Sequence, residues 1–286
     1  MRRPQRGILC AGCPHRAAYI ALKDASRRCR GRVICGDAGC PAVGELPPAA
    51  ATCPGGAERL LPRYRVAVPD GGTPEHPAVE TCIHIVPDTG LAADGAVERL
   101  AGLAAEGRTT VLAVLASSRD FLARERIEWL GGRALALGAS DVAVLDPFDT
   151  ERCREVLCAQ LGQPGVHGAV FASPCAQLQR GGRDLEPVEV DRYMCVGCHR
   201  CYQITGCPAL SFEPPAYQVD PEACAGCDLC CGFCRTQVIY SPRSRLDAAT
   251  RRRIRYAAAE TGPTPDRCGG DGPRRLTAAA ETDHDA

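Results

Sequence analysis

The sequence predicts an α/β domain built on a parallel sheet, followed by a small α+β module dense in cysteine. Three observations predict it. Short β-rich runs alternate with helical patterns from about residue 7 to 180, nine of the twenty cysteines crowd into 195–234, and the chain beyond 243 turns basic and then Gly/Pro/Ala-rich. Strands alternating with helices place crossover helices on both faces of a parallel sheet. The expected units are residues 1–185, 186–242 and 243–286, with a Pro/Gly/Ala-rich insertion at about 41–80.

Taken in order, "HRAAYIALKDASR" (15–27) has the apolar spacing of a helix and "RVIC" (32–35) reads as a short strand. "DGAVERLAGLAAEG" (94–107) reads as an amphipathic helix leading into "TTVLAVLASS", a buried-strand pattern. A helix is expected over 118–130 and a strand over "DVAVLD" (141–146). "DTERCREVLCAQLG" (149–162) is a helix with Asp149 or Thr150 as its N-cap, and "HGAVFAS" (167–173) is the last strand. "RLDAATRRRIRYAAAE" (245–260) reads as one basic helix, and the rest to Ala286 has the composition of a disordered tail.

Thirty-four basic and thirty-four acidic residues cancel. That balance argues against nucleic acid or an anionic membrane as a bulk electrostatic partner. No apolar run reaches the length of a membrane span, and the start, "MRRPQRGILCAGCPHR", lacks the apolar core of a secretory signal. A cytoplasmic location is therefore expected, where twenty cysteines read as metal ligands and not as a disulfide frame.

The second cysteine set is Cys224-x2-Cys227-x2-Cys230-x3-Cys234; the first is Cys195-x2-Cys198-x2-Cys201-x5-Cys207, followed by Pro208. Three thiolates at two-residue intervals can wrap three corners of a cubane, and in two-cluster ferredoxins the last cysteine of each set ligates the other cluster. This spacing predicts one [4Fe–4S] cluster on Cys195, Cys198, Cys201 and Cys234, and another on Cys224, Cys227, Cys230 and Cys207. A four-cysteine zinc site needs only two CxxC pairs and leaves the middle cysteine of each triplet without a role. Two features depart from the usual pattern: Arg235 follows the last ligand where proline is common, and Cys231 is a spare adjacent thiol, read as a packed bystander.

"LCAGCPHRAAYIALK" (9–23), "VICGDAGC" (33–40), "ELPP" (45–48), "ETCIH" (80–84), "DVAVLDPFDTERCREVL" (141–157) and "SPCAQL" (173–178) occur in that order before the double-cysteine module with its "GCPAL". In this order the chain resembles the C-terminal half of the α subunit of indolepyruvate:ferredoxin oxidoreductase, over about residues 8–241. The resemblance implies a truncated thiamine-diphosphate-binding-like domain followed by a bacterial-type 2[4Fe–4S] ferredoxin domain. It also implies a third [4Fe–4S] cluster on Cys10, Cys13, Cys40 and Cys175. His15, which follows the CxxC as in the family's "CPGCPHR", and Asp37 of "GDAGC" become candidate cofactor-cleft residues. Cys29, Cys35, Cys53, Cys82, Cys153, Cys158 and Cys268 are read as core or surface thiols.

The sequence departs from the family where Mg²⁺ should hold the thiamine diphosphate. Mg²⁺ takes hard oxygen ligands, and the family provides them from a Gly-Asp-Gly/Ser motif and a later Asn. Here Ala116 and Ser117 stand at the corresponding strand end, and the chain contains no asparagine. Asp120 is a weak substitute, and the Gly-Asp-Gly of "GGDGPRR" (269–275) lies in the low-complexity tail with no strand before it. The family's pyrimidine-binding domain and its activating Glu are not found in this sequence. The expectation is an iron–sulfur electron-transfer subunit, inactive alone, that passes electrons from 2-oxoacid decarboxylation to a soluble ferredoxin or similar acceptor alongside other subunits. The alternative is a non-catalytic ferredoxin-like carrier or redox sensor whose degenerate domain serves for docking. The basic residues Arg251, Arg252, Arg253 and Arg255 are read either as a contact for an acidic redox partner or as a solvated helix face.

Overall fold

A computed structural model describes residues 9–29, 33–36, 53–54, 81–96, 109–179 and 185–261. Six strands form one parallel sheet in the order β2-β1-β3-β4-β6-β5: β1 (Val33–Gly36), β2 (Cys53–Pro54), β3 (Thr81–Pro87), β4 (Thr109–Ala116), β5 (Ala139–Leu145) and β6 (Val166–Ala172). This is the α/β architecture expected. The helix expected over 94–107 lies almost wholly outside the described residues, as does most of the 41–80 insertion. Within that insertion, however, Cys53–Pro54 joins the sheet edge. The expected strands did not include β3, seven residues long, which places Ile83, Ile85 and Val86 in the sheet core.

The alternation along β4 shows why the sheet must be covered on both sides. Val111, Ala113 and Leu115 pack on one face with α1 (Pro14–Arg28) and the helix Thr150–Leu161, while Leu112, Val114 and Ala116 pack on the other with the helix Arg124–Ala136. All six of these side chains are at most 1% exposed, so the strand reads as a continuous apolar run. We label the helices α2 (Asp88–Ala92), α3 (Arg124–Ala136), α4 (Thr150–Leu161) and α5 (Ala176–Gln179). Asp149 caps α4 by accepting from the Arg152 amide at 3.2 Å.

The helix expected over 118–130 begins six residues later. Ser118 is held extended by Asp88, a 3₁₀ turn follows over Arg119–Phe121, and α3 starts only at Arg124. The apolar stripe that decides the helix is Ile127, Leu130 and Ala134, which faces the sheet.

The cysteine-rich part has two halves of like construction. In the first, β7 (Glu189–Val190) leads through the Cys195–Cys201 loop to α6 (Arg200–Thr205) and β8 (Leu210–Glu213). In the second, β9 (Ala216–Val219) leads through Cys224–Cys230 to α7 (Leu229–Phe233) and β10 (Ile239–Tyr240). β8 pairs with β9 and β7 with β10, both antiparallel, so the last strand closes on the first. Val188, Leu210, Tyr217 and Ile239 make its small core.

Ala17 and Ile20 of α1 pack against Leu229 of α7, with Phe148 and Ile204 alongside, so an apolar seam joins the cysteine-rich part to the sheet domain. The basic helix is present as α8 (Ala248–Thr261). Its reading as a partner contact or a solvated face needs correction at Arg255, which is 3% exposed, ion-paired with Asp146 at the end of β5 and stacked 4.4 Å over Phe148. Arg119 also donates to the Ala259 carbonyl at 3.3 Å, so α8 returns to the sheet domain. Among the described residues no helix is long and apolar enough to cross a membrane.

Candidate metal centres and the strand-end cleft

The loop C-x-G-C-x-x-C occurs twice, and its backbone explains its composition. Gly197 (φ +59°) and Gly226 (φ +60°) lie in the left-handed region, as do His199 (φ 59°) and Asp228 (φ 61°) at the mouths of α6 and α7. Alternating right- and left-handed backbone curls the chain and turns amide groups inward, the nest geometry that suits anionic groups and Fe–S sites. At Gly226 a Cβ would lie 2.5 Å from the Glu186 carbonyl and 2.7 Å from that of Leu185, both rigid backbone atoms. His199 is held by a 2.8 Å bond between Nδ1 and the Tyr217 hydroxyl. Asp228 is locked by Ser241 Oγ at 2.8 Å and by a two-pronged bond from Arg243, with Nε at 3.2 Å and Nη2 at 3.1 Å.

The loops bring the cysteines together in crossed sets. Cys195, Cys198 and Cys201 line one cavity with Cys234, beside Thr236 and Ile239. Cys224, Cys227 and Cys230 line a second with Cys207, beside Leu210 and Val219. Among the described residues no three His, Cys, Asp or Glu side chains gather at one point as a single metal ion requires. Each cavity is instead lined by four thiols, three from one loop and one from the other half.

Burial pushes the thiol of Cys201 up to about 11, and burial with the neighbouring Cys207 pushes that of Cys227 up to about 12. The Cys230 thiol is raised first by its hydrogen bond with the Cys231 thiol and then by burial. Cys231 is thus a contact of a candidate ligand. Cys234 differs: burial raises it, but the amides of Ile239 and Val238 with the Thr236 hydroxyl outweigh burial and hold it below the ordinary thiol range. Ligation needs thiolates, so loading these sites releases protons and weakens as pH falls.

Of the remaining candidates, Cys10, Cys13, His15 and Cys175 lie at the carboxyl edge of the sheet, where ligands of open α/β sheets bind. Cys10 and Cys13 close a turn (Cys13 N to Cys10 O, 3.2 Å) with Gly12 at φ +73°, and Pro14 opens α1 at its first position. Cys175 follows β6, its amide bonded to the Ser117 carbonyl at 3.1 Å. Gln177, two residues on, donates to Cys10 Sγ at 3.3 Å, so the two loops adjoin. Cys40 and Asp37 lie outside the described residues. A Cβ on Gly12 would lie 2.5 Å from Ala225 Cβ, so this turn also touches the second cysteine loop.

His15 is 5% exposed, and its Nε2 is 2.9 Å from Ser117 Oγ at the end of β4. Beside it lies a residue the sequence reading passed over. Asp88, 3% exposed, accepts from the Thr89 amide (2.7 Å) and Ser118 Oγ (2.9 Å) on one oxygen, and from the Ser117 (2.9 Å) and Ser118 (2.8 Å) amides on the other. A carboxylate offers about four lone-pair sites, and all are taken. The strand-end amides therefore already hold an internal anion, and Asp88 has no free position for Mg²⁺. Asp120, the weak substitute, is exposed on the 3₁₀ turn. Among the described residues neither Asp88 nor Asp120 is set at this strand end with a free carboxylate oxygen for Mg²⁺.

Of the bystander cysteines, Cys153 is fully buried and donates to the Asp146 carbonyl at 3.1 Å; burial drives its pKa far above the usual thiol range. Cys29 and Cys158 are partly buried against the sheet core, and burial plus their mutual hydrogen bond push Cys29 up to about 12.

No protein-family profile matches the chain. It is similar to curated proteins named indolepyruvate oxidoreductase subunit IorA. With that of Pyrococcus abyssi it is 28% identical over 280 aligned positions, covering 81% of this chain and 40% of that protein. With that of Pyrococcus horikoshii it is 36% identical over 108 positions, 35% of this chain and 17% of the relative. With that of Archaeoglobus fulgidus it is 23% identical, covering 84% and 40%. The resemblance holds over about four fifths of the chain, and the chain spans 40% of the length of the longer-matching relatives.

Proposed function

From this resemblance and the paired cavities, we propose that the chain is an iron–sulfur electron-transfer subunit of a cytoplasmic 2-oxoacid oxidoreductase of the indolepyruvate type. The observation that carries the reading is the crossing: Cys234 closes the first cavity and Cys207 the second, which suits two [4Fe–4S] clusters in a ferredoxin-like module. Bound there, each cluster would supply reversible one-electron storage. The chain's own residues bind it through four thiolates and orient the loops through Gly197, Gly226, His199 and Asp228. Val188, Leu210, Tyr217 and Ile239 exclude water from the space between the sites. Cys10, Cys13 and Cys175, with Cys40, are the candidate ligands of a third cluster next to the second. Cys198 is exposed, and Tyr193, Met194 and Val196 beside it are 100%, 63% and 66% exposed, so a soluble ferredoxin or similar acceptor would meet the first site. Other subunits would provide the 2-oxoacid chemistry.

Anaerobic iron and sulfide analysis tests this. About eight irons per chain indicate two cubanes and about twelve indicate three (four irons per cubane); zinc in place of iron rejects the proposal.

A second reading, a carrier or sensor without 2-oxoacid chemistry, is favoured by the saturated Asp88. It predicts that the isolated, cluster-loaded chain shows no calorimetric binding of thiamine diphosphate with Mg²⁺. Measurable, Mg²⁺-dependent binding would show that the strand-end cleft opens and would remove this second reading.

A further inference from the structure

Arg16 stands at the seam between the CxxC turn and the second cysteine cavity, and it is 2% exposed. Its side chain lines that cavity. Nη1 donates to the carbonyls of Thr205 (2.5 Å) and Gly206 (2.7 Å), immediately before Cys207; Nη2 donates to those of Cys10 (3.3 Å) and Leu9. These partners are dipoles and carry no formal charge. Among the described residues its Nε has no hydrogen-bond partner and no carboxylate pairs with it.

An arginine cannot shed its proton, and a buried cation without a counter-charge is strongly disfavoured. Asp228, the one carboxylate lining the same cavity, is already paired with Arg243, which leaves the cysteines on either side as the source of a counter-charge. Water is excluded here, so mobile ions screen the charge little.

We infer that Arg16 is an electrostatic positioning residue that supplies the counter-charge for a cluster held by Cys207, Cys224, Cys227 and Cys230, and so raises that cluster's reduction potential. The inference rests on the proposed iron–sulfur reading. Reduction adds one electron to the cluster, with no bond made or broken and no proton required. A fixed positive charge favours the more negative, reduced state, and cluster potentials follow local charge and hydrogen bonding. The position suits this role, because Arg16 holds the backbone of both loops and its charge therefore keeps a set distance from the site.

The test is an anaerobic dithionite titration of the cluster-loaded full chain, read by electron paramagnetic resonance, for wild type, Arg16→Gln and Arg16→Lys. Cys207→Ser and Cys234→Ser variants assign the signals. At a fixed ambient potential Arg16→Gln should lower the reduced-to-oxidised ratio of the second cluster at least about tenfold, about 59 mV for one electron. Arg16→Lys, which keeps the charge but loses the fork, should stay within about threefold of wild type, less than half that shift on the same logarithmic scale. The first cluster should not move in either variant and serves as the internal reference.

An unchanged second cluster in a fully loaded Arg16→Gln protein overturns the inference. So does an Arg16→Lys shift as large as that of Arg16→Gln, because geometry and not charge would then be responsible. Should Arg16→Gln fail to load, Arg16→Met takes its place against Arg16→Lys, and a shift of about tenfold or more in Arg16→Lys by itself overturns the inference. Wild-type protein without iron would overturn the parent reading, a result distinct from two loaded clusters with unmoved potentials.

Discussion

Replacing Cys207 by serine should cost the chain the cluster held with Cys224, Cys227 and Cys230 and spare the one held by Cys195, Cys198 and Cys201. Cys234→Ser should do the reverse, although Cys234 follows the second triplet in sequence. The cavities give the reason: Cys207 faces the second triplet and Cys234 the first. Serine keeps the volume but binds iron poorly, since soft thiolate suits Fe–S clusters. Each variant should retain about half the wild-type iron (one cubane of two). A diagnostic double variant, Cys207→Ser with Cys230→Ser, should lose no more iron than Cys207→Ser alone, because both residues serve one site. Two independent uncrossed sites would instead give full loss in that double variant.

Arg243→Met should destabilise the protein by about 3–5 kcal/mol, the cost of stranding one partner of a buried ion pair. Arg243 and Asp228 are 6% and 2% exposed at their side chains. The pair ties the second cysteine loop to the 3₁₀ turn Pro242–Arg245, and Arg243 also donates to the Glu186 carbonyl at 2.6 Å. Asp228→Asn keeps a residue tolerant of the left-handed backbone, so it isolates charge from conformation. The double variant Arg243→Met/Asp228→Asn should recover part of the loss, measured as a coupling free energy in a denaturant double-mutant cycle on the apo and loaded forms. Equal and additive effects would mean the pair does not act as a unit.

Several parts of the site were legible because their signal is local. The intervals between cysteines set how a loop can wrap a cluster. The glycine before Cys198 and Cys227 sits where the curl needs a positive φ. The β4 pattern was legible because a doubly covered strand must be apolar throughout. Asp149 as a cap was legible because a carboxylate beside free amides at a helix start is stabilising.

The unread parts depend on contacts between distant residues. The helix expected at 118–130 slid to Arg124–Ala136 because Asp88, thirty residues before Ser118, holds that strand end extended. Asp88 itself carries no motif, and three of its four bonds, those from Ser117 and Ser118, exist only once β3 lies beside β4. Arg255 looked like one of four exposed arginines until α8 folded back onto Asp146.

The sequence by itself determined the chemistry on offer: twenty thiols, two triplets at cluster spacing, a parallel-sheet alternation, Ala116-Ser117 in place of Gly-Asp at one strand end, and no asparagine. Those properties are carried by residue type and short intervals, which folding does not change. Only the tertiary structure decided that Asp88 saturates the strand-end amides and that Arg16 carries a buried charge between two cysteine sites. Each is a distance or a burial between residues far apart in the chain, and such quantities are set when the sheet, the seam and the closing strand pair pack together.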